Sequence, residues 1–310
     1  VLDSGALVLA LYSDRFVLPL PEGHRFPMQK YRLLRESVQA QIEELRLKEP
    51  EAASEAQLRL AHDAEYVARV LRGELSAAEL RAIGFPWSPL MVERSRRSVG
   101  ATLEACRIAL DEGVVCNLAG GTHHAHADRG SGYCVFNDAA VAIRVLQNER
   151  PGLRVAVVDL DVHQGDGTAS ILGGAGDAYT LSLHGAANFP ARKTVSHDDV
   201  ALPDGTGDEQ YLSALDAALD RLFFRFVPDL ILYLAGADPH EGDRLGRLCL
   251  SFDGLAERDR HVFDAAWARR IPVALTMAGG YGHTIENTVA IHTQTVKLAM
   301  AQWRRWQSGR

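Results

Sequence analysis

Val155-Ala-Val-Val-Asp-Leu-Asp-Val-His-Gln-Gly-Asp-Gly167 begins as an unbroken apolar run, turns acidic, gains a histidine and closes in a Gly-Asp-Gly loop. An apolar run rich in β-branched residues suits a parallel strand covered on both faces, and in open α/β sheets ligands gather beyond the carboxyl ends of such strands. Asp159, Asp161 and His163 recur at a spacing of two and so project to one side. Asp161 and His163 can then converge on one ion, with Asp159 just behind. Carboxylate plus imidazole suits zinc, or iron and manganese. Taken alone, the same Asp-x-His pattern also describes a strand end with solvated acids.

Outward from this stretch the same plan repeats. Upstream, Val114–Ala119 runs into Gly120-Gly-Thr-His-His-Ala-His-Ala-Asp128, where glycines let adjacent His123 and His124 approach a ligand closely. Downstream, Ala178–His184, Pro228–Asp238 and Ile271–Met277 read as strands, the last two ending in Gly236-Ala-Asp238 and Ala278-Gly-Gly-Tyr-Gly282. Helical patterns fill the intervals: Met28–Lys48, Glu65–Leu71, Met91–Glu112, Asp138–Gln147, Glu209–Phe226, Leu255–Arg270 and Thr284–Trp306. Leu58–Asp63 is expected as a short strand, Gly185–Gly207 as an irregular cover over the site, and Arg94, Arg96 and Arg97 as a solvated helix face. Phe85 and Trp87, in a loop broken by proline, either line a site mouth or pack the loop onto the body. His24 is expected at the surface and His240 at a rim, while Lys297–Trp306 is expected to dock onto the body. Alternating strands and helices predict an α/β fold with a mainly parallel sheet and helices on both faces, as one domain over residues 1–310.

The chain has 310 residues, 47% hydrophobic and 24% charged, enough to bury a large core. Its net charge of -7 argues against nucleic-acid binding held by bulk electrostatics. Four cysteines, Cys106, Cys116, Cys134 and Cys249, lack metal-ligand spacing, which suggests a reducing, cytoplasmic setting. Ala6–Tyr12 is too short to span a bilayer and reads as the first strand, so no membrane association is expected.

Five motifs in order, Gly120-Gly-Thr-His-His-Ala125, Gly132-Tyr-Cys-Val-Phe-Asn-Asp138, Asp159-Leu-Asp-Val-His163, Gly236-Ala-Asp238 and Gly279-Gly-Tyr281, resemble the zinc-dependent histone deacetylases. The similarity covers nearly the whole chain. His24-Arg-Phe-Pro-Met28 and Gly84-Phe-Pro-Trp-Ser88 bring it nearest the bacterial and class IV branch. The resemblance implies the arginase-deacetylase fold and one Zn2+ per chain on Asp161, His163 and Asp238. It implies His123 and His124 beside the attacking water, backed by Asp159 and Asp166, with Tyr281 donating to the substrate carbonyl. Gly132, Tyr133 and Phe189 would form a tunnel with Leu245 at its rim. A monovalent cation such as K+ would sit at Asp159, Asp161, His163, Ser182 and Leu183. Ala278 stands where the family usually has a third glycine, and Tyr133 replaces the commoner phenylalanine. Related arginases bind a second metal through an aspartate at the position of Gly165, so a single ion is expected here.

These residues suit amide hydrolysis, which requires activated water, a polarised carbonyl and a protonated leaving amine. Two aspartates and a histidine neutralise a divalent ion, so its water needs a separate base. His124 fits that task, oriented by Asp166. The implied activity is hydrolysis of acyl groups from lysine side chains of proteins or peptides. An amidohydrolase for small acylated amines such as acetylpolyamines, and a metal-bearing module that binds acyl-lysine without turnover, are the alternatives. His126, His184, His197, His283 and His292 carry no assigned role, and Cys134 is expected to pack.

Overall fold

A computed structural model describes residues 8–309. In chain order its elements are β1 (Val8–Leu11), α1 (Lys30–Gln41), β2 (Leu45–Lys48), α2 (Glu55–Leu58), α3 (Ala64–Arg72), α4 (Ala77–Ile83), α5 (Pro89–Glu112), β3 (Val114–Asn117) and α6 (Asp138–Glu149). There follow β4 (Val155–Asp159), α7 (Asp166–Leu172), β5 (Ala178–Gly185), β6 (Asp198–Leu202), α8 (Asp208–Arg225), β7 (Leu230–Leu234), α9 (Phe252–Trp267), β8 (Val273–Thr276) and α10 (Ile285–Ser308). The strands form one sheet in the order β2-β1-β3-β8-β7-β4-β5-β6, and every pairing is parallel.

The pleat sorts the core. Val155 and Val157 of β4 face a cluster shared with α3, α5 and α6, whereas Ala156 and Val158 face one shared with α1, α8, α9 and α10. Burial on both sides explains why the central strands read as continuous apolar runs. Helix ends follow their local chemistry. Ser88 accepts the Met91 N–H at 3.0 Å ahead of Pro89, and Asn137 accepts the Ala140 N–H at 2.9 Å. At the other end of α5, a side chain on Gly113 would collide with Trp306, so α10 docks onto the body as expected.

Several local readings are corrected. The helix expected over Met28–Lys48 stops at Gln41, and Leu45–Lys48 pairs along its length with β1 instead. Lateral pairing overrides the helix preference of Leu-Arg-Leu-Lys. Leu58–Asp63 is no strand: Ser54 and Gln57 close a capping box that starts α2, and a turn follows. Within Gly185–Gly207 the regular strand β6 pairs with β5. The arginines of α5 are not a solvated face. Arg94 is buried over the Tyr31 ring, and Arg96 and Arg97 donate to the Ala53 and Pro50 carbonyls. Of the first expected strand, Ala6 and Leu7 lie outside the described residues. No helix among the described residues is long and apolar enough to cross a membrane.

Candidate metal centre and active site

β3, β8, β7 and β4 are consecutive in the sheet, so the loops leaving their carboxyl ends meet although they are far apart in sequence. The loop after β4 carries Asp161 and His163, that after β7 carries Asp238, that after β8 carries Tyr281, and that after β3 carries His123 and His124. One ligand atom from each of Asp161, His163 and Asp238 lies within 4.8 Å of the others, and all three residues are buried. Backbone amides aim the carboxylates. Asp161 accepts the His163 and Gly279 N–H groups at 2.8 and 2.7 Å, and Asp238 Oδ1 accepts the Val162 N–H at 2.9 Å. A Cβ on Gly279 would fall 1.9 Å from Asp238 Oδ2, so no larger residue allows this approach.

The cluster fits a divalent cation. Asp238 Oδ2 is buried without a hydrogen bond among the described residues, although His163 Nδ1 lies 3.3 Å away. Burial and the Asp161 charge push the Asp238 carboxyl up to about 7, the response of an anion lacking its counter-charge. Burial would lower the His163 pKa, but the hydrogen bond to Asp161 and the close Asp238 carboxylate outweigh it and raise it to about 10. A proton there stands in for a cation. Two carboxylates and an imidazole, without thiolate, suit zinc and the harder divalent metals.

The neighbouring histidines have opposite protonation. His123 Nδ1 is 2.7 Å from Asp159 Oδ2; burial opposes its charged form, but the charges of Asp159 and Asp161 prevail and raise its pKa to about 9. His124 Nδ1 is 2.7 Å from Asp166 Oδ1, yet burial, aided by the charge on His123, lowers its pKa to about 4. At neutral pH His124 is therefore a neutral imidazole that donates from Nδ1 and keeps a lone pair on Nε2. Two hydrogen bonds to Asp166, from His124 and from His126 at 3.2 Å, hold that carboxylate in its anionic form despite its burial.

Tyr281 is set by Asp243, which accepts the Tyr281, Leu245 and Gly246 N–H groups at 2.6, 2.8 and 3.0 Å. Burial raises the Tyr281 phenol well above its ordinary value, so the hydroxyl remains a donor. Gly132, Tyr133, Phe189 and Leu245 come together with His124 and Tyr281 around an outer cavity of about 460 Å³. Gly132 has φ 51°, and a side chain there would strike His124 and Phe189. Ser182 lies opposite Asp159 in the β4–β5 register, with its hydroxyl 2.9 Å from His184 Nδ1, and Leu183 follows it in β5.

The profile of the histone deacetylase domain family matches residues 24–296. The chain belongs to this family. An uncharacterized protein of the cyanobacterium Picosynechococcus is 41% identical to it, with 91% of this chain and 95% of that protein covered. Histone deacetylase 2 of Arabidopsis thaliana is 32% identical, covering 80% of this chain and 67% of its own length. Among solved structures, an HDAC homolog from Aquifex aeolicus superimposes with a TM-score of 0.81 at 24% identity, over 94% of this chain and 84% of that one. The shared deacetylase fold is the α/β architecture expected above, here with an entirely parallel sheet.

Several residues around the deacetylase site went unassigned from sequence. His62 accepts the Asn137 N–H at 2.9 Å and bonds the His126 carbonyl at 2.9 Å, which ties α3 to the histidine loop. Asp138 orders that loop from inside, accepting the Gly121 and Thr122 N–H groups at 2.9 and 2.7 Å. It closes the Gly132–Asp138 motif, so its position was visible but its task was not. Fully buried Arg258 pairs with Asp259 and donates to the Gly236 carbonyl at 2.6 Å. Nothing in its helix marked it as internal. His24 bonds the Gly84 carbonyl at 2.9 Å and is half-buried, and His240 is buried against Phe252 and does not line the outer cavity. Phe85 packs on Phe26 and neither it nor Trp87 lines the outer cavity, so the loop packs onto the body rather than forming the mouth. Trp87 is half-buried and donates to the Val70 carbonyl at 2.8 Å.

Proposed function

We propose that this deacetylase-family hydrolase removes acetyl or other short acyl groups from lysine side chains of proteins or peptides, with one zinc ion per chain on Asp161, His163 and Asp238. The observation that carries this reading is the placement of the His123–Asp159 and His124–Asp166 pairs, each at 2.7 Å, beside the buried Asp-His-Asp cluster. When bound, the ion supplies Lewis-acid polarisation of the acyl carbonyl and a more acidic water. His124 takes the proton of the attacking water at Nε2, because Asp166 occupies Nδ1, and returns it to the departing lysine amine. His123, kept cationic by Asp159, and the Tyr281 hydroxyl meet the charge that develops on the carbonyl oxygen. Gly132, Tyr133, Phe189 and Leu245 enclose the lysine stem. A potassium ion near Asp159, Asp161, His163, Ser182 and Leu183 belongs to the same proposal, supported by the register that sets Ser182 against Asp159.

The outer cavity favours acyl-lysine over acylpolyamines. Arg25 and Arg81 line it, no carboxylate does, and neither arginine forms an ion pair among the described residues. A polycationic substrate meets like charge there. The test compares acyl-lysine peptides with acetylpolyamines on zinc-loaded protein, with metal analysis alongside. Expected are turnover of the peptides, about one zinc per chain, and loss of both metal and turnover in Asp161→Ala. Preference for acetylpolyamines, or binding of acyl-lysine without hydrolysis, would overturn the assignment.

A further inference from the structure

A second, inner chamber of about 60 Å³ is lined by His123, His124 and Asp161 together with Lys30, Arg94 and Ser98. That is room for about four water-sized groups. Phe26, Tyr31 and Phe85 give it apolar walls. Two cations line it, Lys30 beside the Tyr281 ring at 5.4 Å and Arg94 over Tyr31. Lys30 and Arg94 are 2% and 8% exposed, and neither has a carboxylate partner among the described residues. Lys30 Nζ donates to the Ala278 and Gly280 carbonyls at 3.2 and 3.4 Å. Arg94 lies over the Tyr31 ring at 4.4 Å, and its Nη1 is buried without a hydrogen bond.

A buried guanidinium without a counter-ion is strongly destabilising, and an anion in the chamber beside Arg94 would relieve that cost. Nearby carboxylates are already engaged. Asp14 pairs with Arg35, Asp159 with His123, Asp138 with backbone amides, and Asp161 and Asp238 face each other in the metal cluster. The chamber shares His123, His124 and Tyr281 with the catalytic site and combines apolar walls with two cations in its lining. Those features match a short methylene chain terminating in a carboxylate.

We propose that Arg94 and Lys30 form a subsite for the distal carboxylate of the acyl group, and that the substrates include lysines bearing dicarboxylic acyl groups such as succinyl or glutaryl. This rests on the lysine-deacylase reading and adds only the acyl class. The reaction needs no further reactant: water oxygen bonds to the acyl carbon, the C–N bond breaks, and both water protons end on the departing amine, leaving the lysine ammonium and a dicarboxylate.

Succinyl and butyryl groups both have four carbons and differ at the chain end, so their ratio isolates the carboxylate. Zinc-loaded protein is expected to show kcat/KM at least tenfold higher for a succinyl- or glutaryl-lysine peptide than for its butyryl counterpart, and Arg94→Met should lower that ratio at least tenfold. Glutarate should raise the Tm of the metal-free protein more than butyrate does, and this difference should vanish in Arg94→Met. The Tm of unliganded Arg94→Met should be unchanged or higher, because an unpaired charge is removed; a clear fall would show Arg94 to be structural and overturn the subsite. Brisk hydrolysis of acetyl and butyryl peptides with poor hydrolysis of both dicarboxylic ones overturns the inference while leaving the deacylase reading intact. Hydrolysis of no acyl-lysine overturns that reading, and the glutarate arm then decides the subsite by itself.

Discussion

The general-base role proposed for His124 rests on its pairing with Asp166. The Asp166 carboxylate fixes the proton on Nδ1, while burial and cationic His123 keep the ring neutral near pH 7. Asp166→Asn preserves the shape but can present an N–H to Nδ1, which favours the wrong tautomer. It should lower kcat roughly 10²–10⁴-fold with KM and zinc content little changed, as read by steady-state kinetics and metal analysis. A large loss of zinc would instead mark Asp166 as part of the metal cluster's support. Ala278 offers a second test. It stands at φ 52°, a left-handed conformation that burdens any residue with a Cβ. Ala278→Gly should therefore stabilise the protein by about 1 kcal/mol in denaturant unfolding. The glycine usual in the family at this place has a backbone reason.

At the scale of elements, the loop from β3 to α6 holds both histidines through bonds that come from outside it. His62, in the turn ahead of α3, donates to one loop carbonyl and accepts the Asn137 N–H, so it must stay neutral. Burial lowers its pKa to about 4. The folded state thus takes up this proton less readily than the unfolded chain. The contribution is complete above the unfolded value near 6.5, falls as pH drops through the interval to about 4, and is constant below that. The loss amounts to about 3 kcal/mol. Replacing His62 with Gln should flatten this part of the stability–pH curve, measured by urea unfolding between pH 7 and 4. Elements also explain the misread segments: Leu45–Lys48 and Asp198–Leu202 became strands because β1 and β5 offered unpaired edges, which a local pattern does not reveal.

Across the whole molecule, a net charge of -7 surrounds a cavity mouth lined by Arg25 and Arg81. That local reversal should favour acyl-lysines flanked by acidic residues. At low salt their kcat/KM should exceed that of lysine-flanked peptides by roughly 3–10-fold, and the gap should close as ionic strength rises. A gap insensitive to salt would place the discrimination in close contacts instead.

The sequence alone determined the alternation of strands and helices, the parallel sheet, and the strand-end position of the polar motifs, because side-chain periodicity and apolar runs are local properties. The Asp161–His163 pair and the His123–His124 pair were legible for the same reason, and their family resemblance supplied expected roles. Convergence was not legible from spacing. Asp238 and Tyr281 reach the site because β7 and β8 lie between β3 and β4 in the sheet, an order set by packing over the full chain. The protonation of His123 and His124, the hidden tasks of His62, Asp138 and Arg258, and the cationic lining of the inner chamber depend on which groups become neighbours in a low-dielectric interior. Arg94 is the plainest case: three arginines within four positions look like a solvated helix face, and only tertiary packing turns one of them inward over Tyr31, where water no longer balances its charge.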